Sequence, residues 1–379
     1  MQVHNYLLID QKICQLANAI ETNILSYTNP QNLEEQKKLF FEYLQKNEKY
    51  NPFFTYFARN PIYSYFTISP TFNTYKNELK ELLNELGQDS LGLIFEKKIM
   101  DLFERMELIR SVGTENFSGN SESYYGSVDQ PTHKIAKEFL LKKVETEEKE
   151  IRFEYAKQMI EYALRKKKIR YSIKQRATSS GAKFSVNIRT KEILVNKDIR
   201  FSESSIKRLI AHEIEGHAFR YENGAKQPYG IFARGLSKET LETEEGIAIY
   251  IEQNQGINVD TQIREYSGRV HAIATAAKHS FYETFEEMQK YFSQEEAFNL
   301  TLRAKRGTWK QEMGGAFTKD CLYLKGMLTV REFLEEQEIE KLYYGRYSVN
   351  DTPLVLDVDG LVMPKYLPAF LKNIRNSKG

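Results

Sequence analysis

One spacing constrains this chain more than any other feature. His212-Glu213-Ile214-Glu215-Gly216-His217 sets two imidazoles five residues apart, in a stretch that reads as helix from about Ser204. Two helical histidines that share one ion must project from the same side, which an i, i+4 spacing achieves. At i, i+5 they diverge by about 140° on a regular α-helix. One residue has to be absorbed, and a π-turn does this. Gly216, next to His217, makes the distortion cheap. The spacing predicts a π-turn within 212–217; a straight helix there would count against a shared metal.

A catalytic zinc ion takes three protein ligands and keeps a position for water. His212 and His217 supply two. The third is expected from Thr243-Glu244-Glu245-Gly246-Ile247-Ala248, which begins or continues a helix reaching about residue 255. Either glutamate could reach the ion. Glu245 is the expected ligand, with Glu244 orienting a ligand or capping the helix N-terminus. Glu213 is placed to act as general base on the water and then as acid toward the leaving amine. One Zn2+ per chain is expected. Only four other histidines, His4, His133, His271 and His279, exist to compete for it.

The 379 residues suffice for two domains, or for one with a large helical extension. A net charge of +2 gives no reason to expect nucleic acid or a membrane surface as partner. The N-terminus lacks the basic start and long apolar core of a signal peptide, and no stretch is long and apolar enough to span a bilayer. With only Cys14 and Cys321, two reduced thiols and a cytoplasmic location are expected.

Residues 1 to about 112 read as helices, with 33–44, 75–86 and 91–109 at helical spacing. The aromatic run 52–57 between them reads as a buried helix contact. Residues 113–131 read as a loop and 132–168 as one long charged helix. The period then shortens to two at Ile169, Tyr171 and Ile173, at Phe184, Val186 and Ile188, and over 192–196. Three strands are expected, the last two forming a hairpin. Helix returns at about 204 and dominates to the end, broken near 224–235 and 307–315. The expected fold is α+β and mostly helical, a zincin-like metallopeptidase with a small sheet next to the active-site helix. A helical region spanning 1–165 would precede a catalytic region spanning 166–379. In zincins an edge strand holds the substrate backbone by strand addition, a role that falls here to the hairpin 183–196.

Several blocks together resemble the family of the microtubule-associated tyrosine carboxypeptidases and their bacterial relatives, known by a "QEGLA" motif. Residues 205–217 look like the family's HExxxH helix. Asn223-Gly224 and Gln227-Pro228 match its following loop. Thr243-Glu-Glu-Gly-Ile-Ala248 stands where the family has a Q/E-E-G-L-A run, whose second acidic residue is the third zinc ligand. Arg303-Ala-Lys-Arg-Gly307, Gly314-Gly-Ala-Phe-Thr-Lys-Asp320 and Tyr323-Leu-Lys-Gly326 are similar to a downstream block. Gly113-Thr-Glu-Asn-Phe117, Ser121 and Tyr125-Gly126 are similar to an upstream one. Glu215-Gly216, Glu244 and Ile247 depart from the family pattern without removing a catalytic atom.

The resemblance implies a zinc carboxypeptidase that removes one C-terminal residue from a peptide or protein tail, in some relatives the tyrosine of tubulin's acidic tail. Such an enzyme needs a fixed cation for the free carboxylate, and Arg does this best. Arg303, Arg306 and Lys319 are candidates, and Tyr323 could donate to the oxyanion or line the pocket. Two other readings compete. The HExxGH form with a later Glu-Glu is also similar to the dipeptidyl-peptidase III class, which would bind a substrate amine instead. A non-catalytic, zinc-stabilised regulatory or binding protein is the other, although such a site leaves Glu213 without a task.

Overall fold

The computed structural model describes residues 5–57, 65–142, 150–176, 184–196, 201–257 and 260–371. In chain order, the first helices are α1 (Tyr6–Ile20), α2 (Leu25–Thr28), α3 (Leu33–Gln45), α4 (Tyr65–Leu83), α5 (Ser90–Ser111), α6 (Phe117–Tyr125) and α7 (Gln130–Leu140). Strand β1 (Glu150–Ile151), helix α8 (Phe153–Lys167) and strands β2 (Ser172–Arg176), β3 (Phe184–Asn187), β4 (Glu192–Asn196) and β5 (Phe201–Ser202) follow. Helix α9 (Glu203–Leu209) then runs through a π-helical stretch, Ile210–Ala218, into α10 (Phe219–Gly224). The remainder holds α11 (Thr240–Asn254), α12 (Asp260–Ala276), α13 (Phe281–Gln289), α14 (Gln294–Lys305), α15 (Leu322–Glu336) and α16 (Thr352–Leu356). Among the described residues the fold is mostly helical with two small sheets, an α+β composition.

The chain divides into two compact units. One comprises Met1–Lys143, Leu236–Glu239 and Gln262–Lys325; the other comprises Val144–Gly235, Thr240–Thr261 and Gly326–Gly379. Sequence alone suggests one boundary at 165/166, whereas both units are built from separated stretches of chain. The reason is visible in the aromatic core of the first unit. Phe40 of α3 meets Phe285 and Phe281 of α13 and Phe298 of α14 at ring distances of 4.8, 5.4 and 5.2 Å. Edge-on packing of this kind adds to the burial of each ring. Phe54 joins at 5.8 Å from Phe281. Residues 52–56 are not helical: Phe54 and Tyr56 are buried while Phe53 and Thr55 are exposed.

Two expectations are corrected. The stretch 113–131 is not all loop, because α6 occupies Phe117–Tyr125. Its Gly, Ser and Asn residues are poor helix formers, and tertiary contacts override them. Phe117 and Tyr125 pack on Phe317 at 5.6 and 5.7 Å. Tyr124 donates to Asp101 at 2.7 Å, and Ser121 exchanges hydrogen bonds with Thr318. The upstream and downstream sequence blocks thus meet. Gly307 has φ +84°, and a Cβ there would lie 2.6 Å from the Phe117 ring, so glycine is required twice over.

The second correction concerns 132–168, which is not one helix. It holds α7 and α8 with β1 between them; residues 143–149 lie outside the described residues. Glu150 and Ile151 pair antiparallel with Ser202 and Phe201, so the chain leaves helical geometry to close a two-stranded ladder.

In the second unit β3 and β4 form the expected antiparallel hairpin, with Phe184 opposite Val195 and Asn187 opposite Glu192. Strand β2 runs parallel to β4 on its other side, giving the order β2-β4-β3. Ile193 and Val195 of the central strand are buried. No helix among the described residues is long and apolar enough to cross a membrane.

Candidate metal centre

Everything in this centre belongs to the second unit. Ser202 starts the first helix with a capping box, its hydroxyl accepting from Ser205 N while Ser205 Oγ takes the Ser202 N–H. The helix then widens. Ile210–Ala218 is π-helical, and the Phe219 N–H reaches back five residues to Ile214 O. The predicted π-turn is therefore present. It brings the rings of His212 and His217 to 5.0 Å, nearly perpendicular at 79°.

Helix α11 packs alongside. At Gly216 an added Cβ would lie 3.0 Å from Ala248 Cβ, so the glycine also permits close approach of the two helices. On the other face of α11, a Cβ at Gly246 would fall 2.0 Å from Gly326 O. Between these contacts Glu245 is held facing the histidines. Its Oε2 lies 3.3 Å from His212 Nε2 and 3.9 Å from His217 Nε2. One ligand atom from each of the three residues falls within 4.8 Å of the others, a spacing that a single ion can bridge.

The opposite ring nitrogens are engaged by other carboxylates. His212 Nδ1 lies 2.7 Å from Glu252 Oε1, and His217 Nδ1 lies 3.2 Å from Glu244 Oε2. Each carboxylate engages the Nδ1 side of its ring, and the Nε2 atoms of both rings face Glu245. Burial would lower the His212 pKa, but hydrogen bonds to Glu245 and Glu252 override it and push it up to about 10. For His217 burial again lowers and Glu244 and Glu245 raise, with a net upward shift. The centre attracts positive charge.

Glu244 is not an N-cap, since it lies inside α11. Burial opposes its ionisation, yet Arg346 and Arg220 hold its carboxyl far below the usual range. Arg346 Nε donates to it at 3.1 Å, and Arg220 Nη1 pairs with it. Arg220 is fully buried and also donates to Leu342 O at 2.8 Å and Tyr347 O at 2.6 Å. Glu213 is half-buried, beside His212 on the widened turn. Glu215 is buried and serves structure: it pairs with Lys167 and accepts from Gln255 Nε2 and Ala369 N at 2.9 and 2.8 Å.

Sequence reasoning missed Glu252, Arg220 and Arg346. Glu252 carried a usable signal, because it lies two helical turns after Glu245 and so on the same face. The arginines carried none, since they reach Glu244 from 24 and 102 residues away. Asn223 and Gln227 also have structural tasks. Asn223 accepts from Lys365 N and Tyr366 N and donates to Tyr366 O, while Gln227 pairs both ways with Val362.

The sequence profile described as "Microtubule-associated tyrosine carboxypeptidase" matches residues 42–379. The chain belongs to that family. Among curated members, the rat protein named microtubule-associated tyrosine carboxypeptidase 1 is 28% identical over 180 residues, 45% of this chain and 36% of the relative. Its human counterpart is 29% identical over 133 residues, 33% of this chain and 27% of the relative. The mouse protein is 27% identical over 180 residues, 45% and 37%. The match thus spans about a third of the length of these relatives.

The four residues expected to bind substrate lie in the other unit, where Arg303, Arg306 and Lys319 act on Asp320. Arg303 Nε donates to Asp320 Oδ2 at 2.6 Å, and its side chain is 34% exposed. Arg306 is buried, donates to Asn29 Oδ1 at 3.2 Å and lies over the Phe317 ring. Tyr323 stacks on Tyr266 at 4.9 Å, with Arg269 over both rings. Burial opposes ionisation of Asp320, but Arg303, Arg269, Arg306 and Lys319 together hold its carboxyl far below the usual range.

Proposed function

We propose that this chain is a zinc-dependent carboxypeptidase with a zincin-like centre, hydrolysing the last peptide bond of a peptide or protein tail. One observation carries the reading: His212, His217 and Glu245 converge within 4.8 Å while Glu252 and Glu244 hold the far nitrogens of both rings. Two imidazoles and one carboxylate, with no thiolate, suit a catalytic zinc site; structural zinc is closed by four ligands and rich in Cys. His212, His217 and Glu245 would hold the zinc, which would supply Lewis acidity toward a water and the scissile carbonyl.

The remaining work falls to side chains. Glu252 and Glu244 keep both Nε2 atoms aimed at the ligand position. The Glu213 carboxylate takes the proton of the attacking water and returns it to the departing amine nitrogen. The free terminal carboxylate of the substrate needs a fixed cation, which Arg supplies best. The family description supports a C-terminal tyrosine as the leaving residue and an acidic tubulin-like tail as one substrate.

The test is cleavage of peptides ending in Tyr, Phe, Glu or an amide, with metal analysis of the same preparation. Loss of one residue from free-carboxylate peptides alone, absent in Glu213→Gln, is expected. Release of dipeptides from free N-termini would replace this reading with the dipeptidyl-peptidase class. Stoichiometric zinc without cleavage of any tail, tubulin included, would leave a metal-stabilised binding protein.

A further inference from the structure

The widened turn leaves a backbone group to be satisfied. In an α-helix the Phe219 N–H would bond to Glu215 O; here it bonds to Ile214 O. The Glu215 carbonyl instead accepts the Tyr343 hydroxyl at 2.8 Å. Tyr343 is completely buried, and desolvation raises its pKa well above the usual tyrosine value, so it stays a donor at any working pH. The other end of Glu215 is held by Lys167, Gln255 and Ala369. Glu215 lies inside the turn, two residues before His217, and is gripped at both backbone and side chain.

We infer that Tyr343 is a positioning residue for the metal centre: its hydroxyl holds the carbonyl exposed by the π-turn and so keeps His217 beside His212 and Glu245. The physical reason is competition between two backbone registers. A straight α-helix would return Glu215 O to Phe219 N–H and turn His217 away from His212. A buried donor fixed on that carbonyl makes the wide register self-consistent, because no buried carbonyl is left unpartnered there. The inference rests on the metal reading above.

Cobalt(II) titrated into the metal-free full chain tests it, with the visible ligand-field band and chelator competition as readouts. The wild type is expected to bind one ion, and His217→Ala none. Tyr343→Phe should bind about 10–100-fold more weakly, with an altered band. Tyr124→Phe is the control. It removes a buried hydroxyl that donates to Asp101 Oδ1 within the first unit. It should lose thermal stability yet keep affinity and band. 4-Aminophenylalanine at position 343 keeps a weaker donor of similar reach and should fall between wild type and Tyr343→Phe. Wild-type affinity and band in Tyr343→Phe would overturn the inference, as would an equal loss in Tyr124→Phe. Where Tyr343→Phe does not fold, wild-type affinity in the 4-aminophenylalanine variant overturns it. Absence of cobalt binding in the wild type, or binding that survives His217→Ala, would instead remove the metal reading and the inference with it.

Discussion

At Glu213 the exchange of one oxygen for nitrogen should separate chemistry from binding. Glu213→Gln should retain one zinc per chain and lose turnover by about 10²-fold or more, the usual contribution of general acid–base catalysis. His217→Ala should lose both, and metal analysis beside a cleavage assay distinguishes the two. Glu252→Gln is subtler. It keeps a side-chain oxygen near His212 Nδ1 but removes the charge, and zinc affinity should fall about 10–100-fold in chelator competition. Unchanged affinity would mean that Glu252 merely fills space. The convergence of His212, His217 and Glu245 was legible in the sequence because their spacing is itself the signal. Glu252 was only half legible: its helical phase was visible, but no residue type marks it as the partner of His212 over several other acids.

Among elements, the close approach of α11 to its neighbours depends on absent side chains. A Cβ at Gly246 would fall 2.0 Å from a backbone oxygen, which cannot yield without moving the chain. Gly246→Ala should cost about 1–3 kcal/mol, as overpacking usually does, and shift Glu245 with it. At Gly119 in α6 nothing lies within 4 Å of an added Cβ, so Gly119→Ala should stabilise by about 0.4–1 kcal/mol. Denaturant melts of both variants check the contrast; a destabilised Gly119→Ala would place a contact where the structure has space. The hairpin β3-β4 was readable from alternation and a short turn. Neither α6 nor the break between α7 and α8 was, because local composition favoured loop in the first and helix in the second.

Across the whole molecule, stability should carry the imprint of one buried lysine. Lys305 is completely buried, donating to His279 O at 3.0 Å and Met313 O at 2.5 Å. Burial pushes its pKa down to about 8, against the pull of Glu312 and Glu283. Between pH 8 and its ordinary value the unfolded chain binds more protons than the folded one, so this group makes stability rise with pH there. Below pH 8 the cost of the buried charge is fully present, on the order of 3 kcal/mol. The difference in unfolding free energy between wild type and Lys305→Met should therefore move in favour of the wild type from pH 8 to 10. A flat difference would show that the carbonyl contacts offset burial completely.

The sequence by itself determined the convergence of His212, His217 and Glu245, the need for a π-turn, the hairpin and the family, because each is written in residue types at short fixed spacings. Only the tertiary structure decided that Glu244 orients His217 and does not cap a helix, that β2 joins the hairpin in parallel, and that Tyr343 closes the widened turn. Those choices depend on groups brought together from distant parts of the chain. Burial makes each polar group seek a partner, but nothing local in the sequence states which partner arrives.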